Sequence, residues 1–221
     1  MESAQQRRPM FAMVCVNNVN RSAAAHGSLS AAGLRVCSFG AGRQVSFPGK
    51  TSADARTFKF QTPYEAMHRI LLKEDPQLFT ANGVLKILER DMPLKKAPER
   101  WQSLNNKQLI AIDVVVCLDY IVADGSFFRT NWVVLCLVAD YGLSDLQMRI
   151  RLSFKHKRLH VICLDTADTP EDASSGSISA LQLCQELDVP ACELTEERVK
   201  TVVQNFEKEH GRQMFYLGLH M

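Results

Sequence analysis

The sequence predicts an α/β fold, with a central, mainly parallel sheet flanked by helices, and three observations carry that expectation. A short apolar run, Phe11 to Cys15, stops at a polar loop and gives way to a helix-forming stretch. Largely apolar runs bounded by polar residues recur at Ile110 to Cys117, interrupted by Asp113, and at His160 to Leu164, the pattern of strands covered on both faces. Helical periodicity fills the chain before, between and after them.

Taken in order, Phe11-Ala-Met-Val-Cys15 reads as the first strand and Val16 to Asn20 as a loop. Arg21 to Ala32, rich in Ala and Ser and closed by Gly33, reads as a helix. Leu34 to Phe39 is the second strand, so the first 40 residues form a βαβ unit with parallel strands. Thr62 to Lys73 and Asn82 to Glu89 carry apolar residues at helical spacing, with Pro63 in a permissible first turn. The runs at 110–117 and 160–164 are the third and fourth strands. Helices over Ile178 to Leu187 and Thr195 to His210 end the fold, the latter opening on Thr-Glu-Glu and stopping at Gly211. The expected organisation is a flexible N-terminal tail over 1–9 and one domain over 10–221. An atypical insertion at about 118–158 mixes an apolar stretch, Phe127 to Tyr141, with a basic one, Arg149 to Arg158.

Composition narrows the function. The chain of 221 residues carries 26 Lys+Arg against 24 Asp+Glu, a net charge of +2, too little to hold a nucleic-acid backbone by bulk electrostatics. No direct nucleic-acid partner is expected, and an acidic ligand must be bound locally. The longest apolar run, Val133 to Ala139, is far short of a bilayer span, so no membrane association is expected. Seven widely spaced cysteines with no Cys-x-x-Cys point away from a disulfide framework and from a zinc site. Neither a metal nor a cofactor is expected.

The chemistry lies in Cys15-Val-Asn-Asn-Val-Asn-Arg21-Ser22. A thiol and a guanidinium stand six residues apart, across a loop that leaves a strand and enters a helix. Five intervening residues can curl their N–H groups around one tetrahedral anion, and the helix N-terminus adds donors and partial positive charge. Phosphate is the natural guest. That setting is expected to lower the Cys15 pKa and favour the nucleophilic thiolate. Arg21 can grip two phosphoryl oxygens at once, Ser22 can hydrogen-bond the sulfur, and Asn17, Asn18 and Asn20 line the loop. Asn18 and Asn20 also suit a tight, partly left-handed backbone. A thiolate that takes a phosphoryl group from an ester needs an acid for the departing oxygen, and Asp165 and Asp168 follow the fourth strand. Two decoys fail. Gly40-Ala-Gly42 lacks the third glycine of a dinucleotide fingerprint, and Gly49-Lys50-Thr51 has no glycine at nucleotide P-loop spacing.

The loop, with Ala25-His26, resembles the active-site stretch of the Ssu72 family, phosphatases of the RNA polymerase II C-terminal domain. The resemblance continues through Ser38-Phe-Gly-Ala-Gly42, Phe47-Pro48-Gly49, Thr62-Pro-Tyr64, Asn82-Gly-Val-Leu85, Pro98-Glu-Arg-Trp-Gln102 and Leu183-Cys-Gln-Glu186. It implies a low-molecular-weight phosphatase-like fold with extra helices over the cleft and a cysteine-dependent protein phosphatase. The implied substrate is phosphoserine followed by a cis proline in the heptad repeat. A low-molecular-weight tyrosine phosphatase and a catalytically impaired phosphopeptide or scaffold binder are the alternatives. By position, Cys15 matches the family nucleophile, Arg21 the phosphate-binding arginine, Asp168 the general acid and Asp165 a second aspartate nearby. Phe47 and Pro48 match the substrate groove. The implied partners are the phosphorylated C-terminal domain and a symplekin-like scaffold of mRNA 3′-end processing, and the implied location is the nucleus. The chain departs from the family at Val16 and Val19, at Ala23-Ala24 in place of Met-Glu, at Thr169-Pro170 in place of Asn-His, and through 118–158.

Overall fold

Residues of alternate parity along Phe11–Cys15 (β1) are apolar without exception, so both faces of this strand must be covered. The computed structural model describes residues 7–119 and 158–220. It places β1 inside a five-stranded sheet. Val36–Gly40 (β2) pairs parallel on one side, Val114–Cys117 (β5) parallel on the other, and Arg158–Cys163 (β6) lies parallel beyond β5. Phe215–His220 (β7) closes the edge antiparallel to β6, which gives the order β2-β1-β5-β6-β7. The expected mainly parallel sheet is therefore present, with an antiparallel edge strand that the sequence reading lacked.

Phe11, Met13 and Cys15 face one layer, with Leu29 of α1 (Arg21–Ala31), Leu183 and Leu187 of α6 (Pro170–Leu187), and Val199 and Phe206 of α7 (Glu196–His210). Ala12 and Val14 face the other, with Phe39, Trp101 and Ile112. The strand order reverses direction between β1 and β5, so the loop after β1 opens at a topological switch point, where open α/β sheets hold ligands.

A third cluster stands apart from the sheet. A small hairpin, Val45–Phe47 (β3) with Arg56–Phe58 (β4), packs with α2 (Tyr64–Glu74), α3 (Pro76–Ala81) and α4 (Val84–Asp91) around Tyr64, Met67, Leu71, Phe79 and Leu88. Val19 of the loop is buried in it. This unit corresponds to the extra helices that the resemblance implies, and its hairpin and α3 are additions to the sequence reading. Asp75 caps α3 by accepting from the Leu78 N–H at 3.0 Å. Gly83, at φ +76°, supplies the left-handed turn that starts α4.

Several boundaries shift for identifiable reasons. Ile110 is helical rather than extended, because Asn105 and Gln108 form a reciprocal capping box that starts α5 (Asn106–Ala111). The helix expected from Ile178 begins at Pro170: Thr169 accepts from the Asp172 N–H at 3.0 Å, Pro170 takes the first turn, and Glu171 and Asp172 meet the helix dipole. Of the tail expected over 1–9, residues 7–9 are among those described, and the Arg7 guanidinium donates twice to Asp113, at 2.7 and 2.8 Å, while 1–6 lie outside the described residues. Of the insertion expected at about 118–158, Leu118 and Asp119 extend the sheet end, with the Leu118 N–H donating to Val14 O at 2.8 Å, and Arg158 opens β6. The rest of that segment, including the apolar run 127–141 and nearly all of the basic run, lies outside the described residues.

Candidate active site

The strand ends at Cys15 because the next residues turn away from the sheet. Asn18 and Asn20 both adopt positive φ, +53° and +50°, which Asn tolerates better than most residues, and Asn20, at ψ −95°, lies outside the left-handed helical region. The turn is pinned from every side. Asn17 exchanges two hydrogen bonds with the Ser46 backbone, at 3.0 and 3.1 Å. Asn18 donates to Ser22 Oγ at 3.0 Å and accepts from the Glu99 N–H at 2.9 Å, while its carbonyl accepts from the Tyr64 hydroxyl at 2.6 Å. Gly40 and Gly42 lie against the loop so closely that an added Cβ would come within 2.8 and 2.9 Å of Val16 O. The glycines of the failed dinucleotide fingerprint thus serve the loop. Behind it, Lys95 donates to Ser38 O at 2.7 Å and pairs with Glu99, and the neighbouring His26 is held neutral, its pKa lowered to about 4 by burial and by Lys95.

Inside the turn, Ser22 Oγ lies 3.1 Å from Cys15 Sγ. Arg21 is 7% exposed, and its Nη1 meets Asp119 Oδ1 at 2.8 Å and Thr166 O at 3.0 Å. Its Nη2 stands 3.4 Å from Asp168 Oδ2. Its Nε has no hydrogen-bond partner among the described residues. Burial opposes the charge on Arg21, and Cys15, Asp119 and Asp168 more than offset it.

The thiol differs from expectation. Burial pushes the Cys15 pKa up, Arg21 pulls it down, Asp119 pushes it up again, and the upward effects prevail. The loop and Arg21 favour the thiolate, but the depth of the sulfur, 1% exposed, and the carboxylate set against the guanidinium outweigh them.

The remaining expected residues divide. Asp168 reaches the loop from the far strand end, accepting from Asn20 Nδ2 at 2.9 Å, and its side chain is half exposed. Asp165 is exposed and lines a separate cavity of about 450 Å³ with Asp172 and Arg212, which leaves it outside the cluster around Cys15. Phe47 is buried, edge-on to Phe58 in the third cluster. Pro48 is exposed beside it, its carbonyl accepting from Asn82 at 3.3 Å. The side-chain amides of Asn17 and Asn18 are engaged by the scaffold through both nitrogen and oxygen, and that of Asn20 through Nδ2, while its buried Oδ1 has no partner among the described residues.

The residue that sequence reasoning missed is Asp119, buried at the end of β5. Its Oδ2 accepts from the Val16 N–H at 2.7 Å while Oδ1 holds Arg21. An acidic residue directly after an apolar parallel strand was the available signal, the same one that picked out Asp165. Among the described residues there is no group of three side chains suited to a metal ion, and no helix is long and apolar enough to cross a membrane.

A sheet of this topology, with a thiol and a buried guanidinium on one loop at its switch point, defines an α/β protein with a cysteine–arginine loop where such sheets hold ligands. A family model described as Ssu72-like protein matches residues 9–220, and the chain belongs to that family. It is 33% identical over 201 residues to SSU72 of Danio rerio, a phosphatase of the RNA polymerase II C-terminal domain, covering 91% of each chain. It is 32% identical over 205 residues to the human SSU72 like protein 4, covering 93% of each. Among solved structures, the serine phosphatase of the RNA polymerase II C-terminal domain from Drosophila melanogaster matches with a TM-score of 0.75 at 26% identity, over 97% of this chain and 100% of that one. The Drosophila Ssu72 with Symplekin, bound to a cis peptidomimetic phosphoserine-5 peptide of that domain, matches with a TM-score of 0.73 at 25% identity, over 96% and 97%.

Proposed function

We propose that this protein is a cysteine-dependent phosphatase that hydrolyses phosphoserine-proline in the C-terminal domain of RNA polymerase II. The observation that carries the reading is Arg21: a buried guanidinium whose Nε lacks a partner among the described residues, one helical residue from Ser22, which touches the Cys15 sulfur. An unpaired buried donor in a loop of this kind is a place for an oxyanion.

In the proposed reaction the Cys15 thiolate forms a sulfur–phosphorus bond as the phosphorus–oxygen bond to serine breaks, and the Asp168 carboxyl gives its proton to the departing oxygen. The Asp168 carboxylate then takes a proton from water, which attacks the Cys-phosphate, breaks the sulfur–phosphorus bond and releases phosphate. Arg21 steadies the phosphoryl oxygens in both steps. The relatives' names supply the substrate class, and a symplekin-like scaffold is the expected second partner. The nucleus is the expected place of action.

The test is hydrolysis of a phosphoserine-proline peptide, with a phosphotyrosine peptide alongside. Cys15→Ser is expected to lower turnover by at least about 10³-fold with the serine peptide as the preferred substrate. Turnover of Cys15→Ser at the parent rate would remove Cys15 from the mechanism.

A further inference from the structure

Asp119 touches both halves of the anion-binding loop at once. Its carboxylate is 8% exposed, and each oxygen is taken by a different part of the loop. Oδ2 accepts from Val16, the first N–H after the thiol, and Oδ1 accepts from Arg21, the last side chain of the loop. The distances, 2.7 and 2.8 Å, are those of charge-assisted hydrogen bonds. The carboxylate stands there because Leu118 continues the ladder onto Val14, which fixes the next residue beside the start of the loop.

A guanidinium has five N–H donors in one plane, so fixing one corner fixes the direction of the rest. Asp119 and Thr166 O together take Nη1. What remains is the edge made of Nε, which is unpartnered among the described residues, and Nη2, which is 3.4 Å from Asp168. That edge has the two parallel donors that match two oxygens of a phosphoryl group. Without the Asp119 carboxylate, the long Arg21 side chain would keep one neutral carbonyl on that corner and could swing toward Asp168.

We propose that Asp119 is a positioning residue for the phosphatase reaction, holding Arg21 by one corner so that its Nε–Nη2 edge stays free for the phosphoryl group. It acts through Arg21 and does not touch the reacting atoms. The inference rests on the phosphatase reading above.

Asp119 also carries a second, opposite consequence that makes its role measurable. Among the described residues, Cys15, Asp168 and Arg21 are the charged or titratable groups around it on the loop side, with Cys117 on its own strand. Its negative charge raises the Cys15 pKa, so removing the charge makes the thiolate easier to form while making the phosphoryl group harder to hold. Loosening the fold would also relieve the burial that raises the Cys15 pKa, so the two readouts are taken together with the Arg21→Ala background, in which a loss due to loosening alone would persist.

The experiment compares Asp119→Asn with the parent on a phosphoserine-proline peptide and follows alkylation of Cys15 by iodoacetamide against pH. The expected result is a kcat lower by about 10- to 100-fold with KM changed less than about threefold, and an alkylation midpoint shifted to lower pH. In an Arg21→Ala background, Asp119→Asn is expected to cost almost nothing more, because the partner through which it acts is gone. A parent-like kcat, an unmoved alkylation midpoint or a full additional loss in that background each overturns the proposal. If Asp119→Asn does not melt cooperatively, Asp119→Glu replaces it. That variant keeps the charge and misplaces it, so kcat falls while the midpoint stays, and an unchanged kcat again overturns the proposal. Cys15→Ser is run in parallel: if it turns over like the parent, the phosphatase reading fails, whereas an inert Cys15→Ser beside a parent-like Asp119→Asn sinks only the role given to Asp119.

Discussion

The loop from Cys15 to Ser22 and the loop from Asp165 to Thr169 meet where Asn20 reaches Asp168 and Thr169 and Arg21 reaches Thr166 and Asp168, and they are built on opposite principles. In the first, the side chains at 18 to 22 are buried, and the amides of Asn17, Asn18 and Asn20 each bond to a neighbouring element. In the second, Asp165, Ala167, Asp168 and Thr169 are exposed, and Thr166 is the one residue turned inward, its carbonyl on Arg21. An oxyanion hole gains by being rigid before its guest arrives, since its dipoles then need no reorganisation. A proton donor must exchange with water between turnovers, so it gains by standing where water reaches it. The same strand ends therefore carry a part completed by folding and a part left open to solvent.

The sharpest way to break this contrast is at Asp168. Asp168→Asn keeps the contact to Asn20 within reach and removes the transferable proton, so turnover of a phosphoserine peptide is expected to fall by about 10²- to 10³-fold. An aryl phosphate, whose leaving group needs little protonation, is expected to lose less than about tenfold. Equal losses on both substrates would place the importance of Asp168 in holding Arg21 rather than in acid catalysis.

A smaller effect tests the rigid side. Val19 is 4% exposed and packs into the cluster of α2 to α4, so Val19→Ala removes two buried methyl groups where the loop meets that cluster. Thermal or denaturant unfolding is expected to show a loss of about 2 kcal/mol, and kcat is expected to fall as well, because the cavity opens beneath the anion loop. A loss of stability with kcat unchanged would separate the cluster from the chemistry.

The smallest expected effect concerns Asp91, at the end of α4. It is fully buried and bonded to Arg90, whose guanidinium also donates to Asn20 O at 3.0 Å. Burial raises its pKa to about 6, against Arg90, which lowers it. A carboxyl that holds its proton more tightly folded than unfolded makes stability fall as pH rises from the ordinary carboxylate range through about 6. The parent is thus expected to be less stable at pH 7 than at pH 4.5, on this account, by on the order of 1–2 kcal/mol, and Asp91→Asn to lose that dependence. Melting curves of the two proteins across this range give the answer, and parallel curves would show that Asp91 is ionised throughout.

How much of this could be read in advance follows from how local each cause is. The β1–loop–α1–β2 unit was legible because its signals, an apolar run, a polar stop, good helix formers and Gly33, lie within 40 consecutive residues. The start of α6 was misread because Asp-Thr-Pro-Glu-Asp serves equally as a turn and as a capped first turn, and only the Thr169 bond to Asp172 decides. The edge strand β7, Phe215-Tyr-Leu-Gly-Leu-His220, has no clean alternation and contains Gly218, and it exists because β6 needs a partner. Cys15 and Arg21 could be proposed from their spacing at a strand end and Asp165 and Asp168 together from theirs, whereas the choice of Asp168 between the two came from the resemblance. Asp119 could not be ranked, because its importance arises from β1 lying beside β5, a neighbourhood that no stretch of sequence displays. The thiol was misjudged for the same reason: its burial and its nearness to Asp119 are tertiary facts.

Val19 gives the loop one further property. The strand before its loop and the helix after it belong to the sheet layer, while its own side chain is lodged among the helices above, beside the bonds from Tyr64 to Asn18 and from Arg90 to Asn20, so the loop rivets the two layers together. Amide hydrogens of residues 16 to 20 should therefore exchange with solvent in step with those of α2 and α4, and a molecule that pried those helices apart would silence the enzyme from outside its cleft.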